Sequence, residues 1–322
     1  MKLSQKVALV ASVIVVIAFT IFSWTQYLTV KDALYETTEN STRESSVVLS
    51  YQITNWLNGK LALINMMAET IDADFSPVSI QKTFDTPMLK DEFLLVFGGL
   101  DTDGARITND PSWNPALWDA RKRPWYPYAK ENKRAVLTSP YPDAARGEIL
   151  VSAVANFYDK GVFKGAFGGD LSLKTISDAV NTLNFNGAGY AFLLDVSGKI
   201  ISHPDVALNG QSLNALFTGG QPPLVDQLQE IDVDGQALLT SFRALDGLYG
   251  SNWLIGVVLD KDRVMATANE LGKRAIIVTV ISVVICSLIL YLMVGHLLRP
   301  LQSLRTSLIV ERSRYAADLT TL

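Results

Sequence analysis

Apolar residues are distributed along this chain in three distinct ways. Two stretches are almost continuously hydrophobic. Val7–Val30 carries no charge, and Ala275–Leu298 carries none between Arg274 and Arg299. Each is longer than the roughly 20 residues a helix needs to cross a bilayer, and backbone hydrogen bonding leaves helix as the form such a segment takes there. From Lys31 to Ala73 the pattern changes to one apolar residue every three or four: Leu49, Ile53, Trp56, Leu57, Ile64, Met67, Ile71. That period predicts one long amphipathic helix, with its polar first half (Tyr35–Ser46) forming an exposed stalk or a dimer helix. Ser76-Pro77 then reads as an N-cap followed by Pro at the first helical position.

Beyond that point short β-type runs separated by turn residues take over. Phe93–Thr108 and Tyr190–Ser202 both read as strand, Asp-x-x-Gly turn, strand, with Asp101 and Gly104 aligning on Asp195 and Gly198. Gly161–Leu173 and Asn252–Asp262 read as closing strands, so the segment divides into two similar halves with a period near ~90 residues. Asp143–Glu148 and Tyr158–Val162 are hairpin signals, and Asn209–Pro223 is a loop. The fold class is α+β: a long N-terminal helix and two modules with antiparallel sheets, flanked by two membrane helices.

Composition agrees with that division. The chain of 322 residues is 48% hydrophobic and 19% charged, which excludes a disordered protein. A single cysteine, Cys286, excludes a disulfide framework. Lys2 and Lys6 precede the first apolar run, and Arg299, Arg305, Arg312 and Arg314 follow the second, so both termini are expected in the cytoplasm. Residues 31–273 then lie outside it. They carry 21 Lys and Arg against 30 Asp and Glu, a net charge of −9, which is no nucleic-acid surface. The aromatics Trp24 and Tyr27 and the absence of a small-x-small cleavage site make the first run an uncleaved anchor.

The candidate chemistry gathers in Asp119–Leu173. Arg123, Trp125 and Tyr126 lie within four residues. Arg presents a planar fork that suits a carboxylate, and Trp and Tyr add a donor each and rigid apolar walls. Asp143 and Asp170 are acceptors able to hold an ammonium, and Tyr141 shares a strand face with Asp143. Two plain readings stand beside these: Trp125 and Tyr126 as core aromatics, and Asp143 as a turn former. Arg121 and Lys122 read as a solvated basic turn. His203 reads as a surface or turn histidine, and no nucleophile elbow, phosphate loop or metal-ligand spacing is present.

On these residues the chain resembles bacterial receptors with a double Cache (dCache) sensor domain, of the methyl-accepting chemotaxis type. The densest matches are R-x-R-P-W-Y (Arg121–Tyr126) and G-G-D-L-S (Gly168–Ser172). Tyr190–Pro204 resembles the second module, and Leu297–Leu308 resembles the first helix of a HAMP linker. The resemblance implies a cytoplasmic N-terminus (1–6), a first span (7–30) and a periplasmic sensor (31–273). Within the sensor it implies a long helix (31–75) and two PAS-like Cache modules, membrane-distal (76–185) and membrane-proximal (186–270). A second span (275–298) and a HAMP-like start (299–322) complete it. It implies a multi-pass inner-membrane homodimer that binds a small molecule and needs no cofactor or metal. About 24 residues follow the second span, so the output is expected either in a continuation or in a partner. A methyl-accepting continuation would bring a chemotaxis kinase and coupling protein as partners.

Amino-acid-sensing members carry a motif whose Arg, Trp, Tyr and distant Asp match Arg123, Trp125, Tyr126 and Asp170. The resemblance assigns the carboxylate to Arg123 and Trp125, and the amino group to Tyr126 and Asp170. Where those members have Tyr five residues before the Arg, this chain has Trp118. Amines, purines or small carboxylates are the alternative ligands. The sensor part of a kinase or cyclase is the alternative output, and an anchored periplasmic enzyme is the reading from a different class.

Overall fold

The computed structural model describes residues 3–181, 185 and 187–319, with the side chains of 3–5, 8, 267, 295 and 297–319 outside that description. The chain falls into two compact units: Thr38–Val264, and the end segments Met1–Thr37 with Met265–Leu322.

In the described residues of the end segments the backbone is helical. Helix α1 (Leu3–Ala73) is continuous for 71 residues. The last helix starts at Lys261 and runs to Leu319. Both are long and apolar enough to cross a membrane. The apolar side chains there, such as Ile14, Phe22, Ile277 and Leu292, are exposed in the protein itself, as a lipid-facing surface requires. The HAMP-like segment falls among the residues whose side chains lie outside the description.

In the larger unit the α1 stripe is buried as its period predicts. Leu49, Ile53, Leu57, Leu61, Ile64, Met67 and Ile71 are all at most 2% exposed. Each contributes on the order of 1.5–3 kcal/mol relative to exposure. The expected exposed stalk differs in one respect: Thr42 and Ser46 are buried. A little further on, Ser50 donates its hydroxyl to the Ala244 carbonyl (3.1 Å). Small polar residues lower the hydropathy of that stretch without preventing close packing, which is why its pattern reads as solvated.

Helix α2 (Pro77–Phe84) starts with the expected cap, Ser76 accepting from the Ser79 N–H, and α3 (Pro87–Glu92) follows. The first sheet contains β1 (Val96–Leu100), β2 (Arg106–Thr108), β3 (Val136–Leu137), β4 (Tyr141–Pro142), β5 (Ile149–Asp159) and β6 (Val162–Leu171), with α4 (Tyr126–Glu131) inserted before β3. Its order is β2-β1-β6-β5-β3, with β4 paired to β5. After α5 (Leu173–Val180), the second sheet contains β7 (Gly189–Asp195), β8 (Ile200–Ser202), β9 (Gln229–Val233), β10 (Gln236–Ala244) and β11 (Trp253–Asp260), followed by α6 (Lys261–Leu319). Its order is β8-β7-β11-β10-β9. The same strand path recurs in both sheets, and the internal repeat is a repeat of topology. All pairings within both sheets are antiparallel.

The β5–β6 hairpin decides which residues face the site. Lys160 and Gly161 form its turn with φ of 52° and 78°, the left-handed pair that matches strand twist. Asp159 pairs with Val162 and Tyr158 with Phe163, but Phe157 pairs with Gly165. This bulge shifts the register by one residue, and Ser152 thereby comes to lie opposite Asp170. Gly165 is required there: its φ is 153°, and a Cβ would stand 2.4 Å from the Gly99 carbonyl oxygen. One face of the sheet presents Phe157 and Phe167, stacked at 4.7 Å and packed against Phe84 of α2. The other presents Ser152, Val154, Ala166 and Asp170, and on this face the site is built.

His203 is not at the surface. It is 5% exposed and packs edge-on to Tyr190 and Phe192. Its Nδ1 accepts the Asp205 N–H (2.9 Å), so the turn role holds while the side chain is core. Burial pushes its pKa below the ordinary value.

Candidate functional site

The segment carrying R-x-R-P-W-Y is anchored before it reaches the site. Gly104 ends the β1 turn with φ of 67°, and its carbonyl accepts the Ala120 N–H (3.1 Å). A Cβ on Gly104 would lie 2.0 Å from the Asp119 carboxylate. That carboxylate caps the next turn by accepting the Arg121 N–H (3.1 Å) and the Arg121 side chain (2.9 and 3.0 Å). These hydrogen bonds, that of the Arg121 side chain first, hold its pKa down at about 2. Arg121 and Lys122 are thus turn residues at the surface, as their sequence suggests. Arg123 follows in extended conformation, and Trp125 caps α4. Asn156 of β5 ties down the far end of α4 by donating to the Ala129 and Asn132 carbonyls (3.1 and 2.8 Å).

The result is a tight cavity lined by Phe97, Trp113, Trp118, Arg123, Trp125, Tyr141, Asp143, Ala144 and Asp170. Six of the seven residues singled out in the sequence therefore meet in one place. Tyr126 is not among them. Its hydroxyl donates to Asp101 (2.8 Å), and its ring lies against Phe163. Burial and the Asp101 contact push its pKa far above the ordinary phenol value. Asp143 does two things here. It lines the cavity, and it also shapes the following turn, Oδ1 accepting the Ala145 N–H (2.9 Å) and the Arg146 N–H.

One wall offers donors. The Arg123 Nε–H and the Trp118 Nε1–H are both buried without a hydrogen-bond partner. The Arg123 guanidinium stands 5.5 Å from the Trp118 ring centre, a cation–π contact. Among the described residues no carboxylate pairs with Arg123. Buried polar groups are ordinarily hydrogen-bonded, so two orphaned donors beside each other mark a place for an acceptor.

The other wall offers acceptors. Asp170 is 3% exposed, and Ser152 donates to its Oδ1 (2.5 Å). Tyr141 stands within 2.6 Å of the Ser152 hydroxyl and 3.3 Å of Asp170. No described Lys or Arg forms an ion pair with Asp170. Burial dominates, and its pKa rises to about 7 despite the Ser152 hydrogen bond that opposes the shift. The same burial, with the Asp170 charge next, drives the Tyr141 hydroxyl well above its usual range.

Besides Ala144, three contributors were not singled out in the sequence. Trp113 packs edge-on to Trp118 (4.9 Å) and donates its Nε1–H to Asp143 Oδ2 (3.3 Å). Phe97 packs on Trp125 (4.9 Å). Ser152 serves Asp170 as described. Ser152 is legible only to a reader who knows the bulge, and Trp113 sits in a turn-rich stretch without periodicity.

A family model described as Cache domain (dCache_1) matches residues 27–268. The methyl-accepting chemotaxis protein PctB of Pseudomonas aeruginosa is 33% identical over 301 residues, which is 94% of this chain and 48% of that protein. The chain thus spans about half the length of that relative. The solved ligand-binding domain of the P. aeruginosa amino acid chemoreceptor PctB, in complex with L-Arg, superposes with a TM-score of 0.68 at 35% identity, covering 72% of this chain and 98% of that one. The ligand-binding domain of the Pseudomonas fluorescens chemoreceptor CtaA in complex with L-serine gives 0.66 at 33% identity, covering 70% and 99%. The chain belongs to the dCache_1 family of Cache domains.

Proposed function

We propose that this chain is the sensor part of a transmembrane chemoreceptor and that free L-amino acids bind in the distal cavity. The observation that carries the reading is the pairing of unlike, unsatisfied groups in one small space. Arg123 and Trp118 present buried donors without an acceptor, and Asp170 presents a buried carboxylate without a cation. A zwitterion satisfies both at once. An amine leaves Arg123 and Trp118 unpaired, and a simple carboxylate leaves Asp170 unpaired. In this reading Arg123, Trp118 and Trp125 hold the ligand carboxylate, and Asp170 with Tyr141 holds the ammonium. Asp143 orders the turn above them. The solved relatives described as binding L-Arg and L-serine support the same class.

In this reading, segments 7–30 and 275–298 span the bacterial inner membrane, residues 31–273 face the periplasm, and both termini are cytoplasmic. Modules 76–185 and 186–270 form the sensor, and 299–322 begins a HAMP-like linker. The chain pairs with a second copy along α1. Val48, Tyr51, Ala62 and Met66 stay exposed at spacings of three, eleven and four, one uncovered stripe of that helix. Ligand binding shifts the balance between two conformers and passes to the cytoplasmic output through α6. The relatives named as methyl-accepting chemotaxis proteins favour a chemotaxis kinase and coupling protein as the partners, and a receptor over an anchored enzyme.

The test is a thermal-shift screen of the full chain in detergent against L-amino acids, amines, purines and small carboxylates. Ligand at about 100 Kd adds roughly 2.7 kcal/mol of stability. Shifts with L-amino acids support the reading, and shifts confined to amines or purines refute it.

A further inference from the structure

Beside the first cavity lies a second, equally tight, and the two share Trp113, Asp143 and Asp170. The second has a different character. Leu95 and Leu150 line it and are buried, while Arg146 and Glu148 stand exposed on the turn that closes it. That turn is firmly built. Besides the Asp143 side-chain contacts, the Asp143 N–H donates to the Glu148 carbonyl (2.8 Å) and the Gly147 N–H to the Asp143 carbonyl (3.1 Å). The fold therefore holds the backbone of Arg146 and Glu148 in place without using their side chains. Neither side chain forms an ion pair among the described residues. Arg146 is near enough to Asp170 for its charge to ease ionisation of that carboxyl.

We propose that the second cavity receives the ligand's side chain, and that Arg146 and Glu148 select one carrying a carboxamide. This rests on the amino-acid reading above, which places the α-carbon between Arg123 and Asp170. The side chain then passes Trp113 into a space with an apolar floor and a rim of one cation and one anion. An aliphatic stem of two or three carbons matches Leu95 and Leu150. At the rim a carboxamide can accept from the Arg146 guanidinium and donate to the Glu148 carboxylate. A side-chain carboxylate meets Glu148 as a like charge, an ammonium meets Arg146 as one, and an aliphatic end leaves both unused. Selection of this kind is a difference of affinities and includes the repulsive member of each pair.

The experiment is isothermal titration of the full chain in detergent with L-alanine, L-glutamine, L-glutamate and L-lysine, in the wild type, Arg146→Glu and Glu148→Arg. The wild type is expected to bind L-glutamine at least tenfold more tightly than L-glutamate or L-lysine. Arg146→Glu should move the lysine-to-glutamate affinity ratio at least tenfold toward lysine. Glu148→Arg should move it as far toward glutamate. L-alanine, whose side chain ends short of the rim, should change by less than twofold in both at pH 8.5, above the value of about 7 at which Asp170 titrates. Ratios that stay within threefold in both variants overturn the proposal. So does a variant that weakens L-alanine as much as L-glutamine, because the turn would then act only as scaffold. Absence of binding for all four amino acids in the wild type overturns the amino-acid reading and this selection with it. Binding of L-alanine with unmoved ratios overturns the selection alone.

Discussion

Replacing Asp170 with Asn removes one charge and little volume, and its consequences can be worked from the site. The carboxylate is buried, is met among the described residues only by the hydroxyls of Ser152 and Tyr141, and titrates at about 7. An unfolded aspartate titrates near 3.9. The folded protein therefore holds a proton that the unfolded chain releases between those values. Stability of the ligand-free protein is greatest at low pH from this group and falls as pH rises through about 7. The full difference is about 4 kcal/mol, and even a quarter of it shifts Tm by about 2–4 °C in a domain of this size. Asp170→Asn should accordingly raise the ligand-free Tm at pH 8 and leave it nearly unchanged at pH 4. Ligand binding runs the other way, because the ligand ammonium needs the ionised form. With a carboxyl titrating near 7, the ionised fraction is about 0.9 at pH 8 and about 0.1 at pH 6, so wild-type Kd should weaken about tenfold across that interval. The variant should bind at least about 100-fold more weakly, with no pH dependence. Calorimetry at pH 6, 7 and 8 with scanning fluorimetry reads both halves. A wild-type Kd that is flat from pH 6 to 8, or a variant less stable than wild type at pH 8, refutes the reasoning.

Three further outcomes follow from the geometry. Arg123→Lys keeps the charge but loses the planar fork and the contact over Trp118, so titration calorimetry should show affinity for L-alanine reduced by about 100-fold with little change in Tm. Tyr126→Phe removes the hydrogen bond to Asp101 outside the cavity; Tm should fall by the equivalent of about 1 kcal/mol while Kd changes by less than twofold, and a large loss of affinity would return Tyr126 to the ligand. Gly104→Ala forces a Cβ onto the Asp119 carboxylate at positive φ, and denaturant unfolding should register a loss of at least about 1–2 kcal/mol.

Much of the architecture is legible because its signals are local. The α1 stripe from Leu49 to Ile71, the Ser76-Pro77 cap, the Lys160-Gly161 turn and the paired Asp-x-x-Gly hairpins each follow from periodicity or turn chemistry within a few residues. The site is legible in part for the same reason, since Arg123 and Trp125 are near neighbours in the chain. What escapes depends on long-range register. The turn alone pairs Asp159 with Val162, and continuing that count sets Ser152 opposite Gly169; the bulge at Phe157 moves it to Asp170. A one-residue slip exchanges the faces of a strand, so no local pattern reports it. Tyr126 stands outside the cavity because adjacency to Trp125 says nothing of direction: the first turn of α4 sends the two rings different ways, one to Phe97 and one to Phe163. His203 reads as surface because a polar residue in a turn usually is, and here its ring completes a core of Tyr190 and Phe192.

The central claim is that the distal cavity recognises a zwitterion by both of its charges. The direct measurement is titration calorimetry of the full chain at pH 7.5 with L-alanine, ethylamine and propionate. Ethylamine is L-alanine without its carboxylate, and propionate is L-alanine without its ammonium. The account predicts binding of L-alanine, and no detectable heat from ethylamine or propionate at about 100-fold higher concentration, since each leaves one buried wall unpaired. Ethylamine or propionate binding as tightly as L-alanine would contradict it.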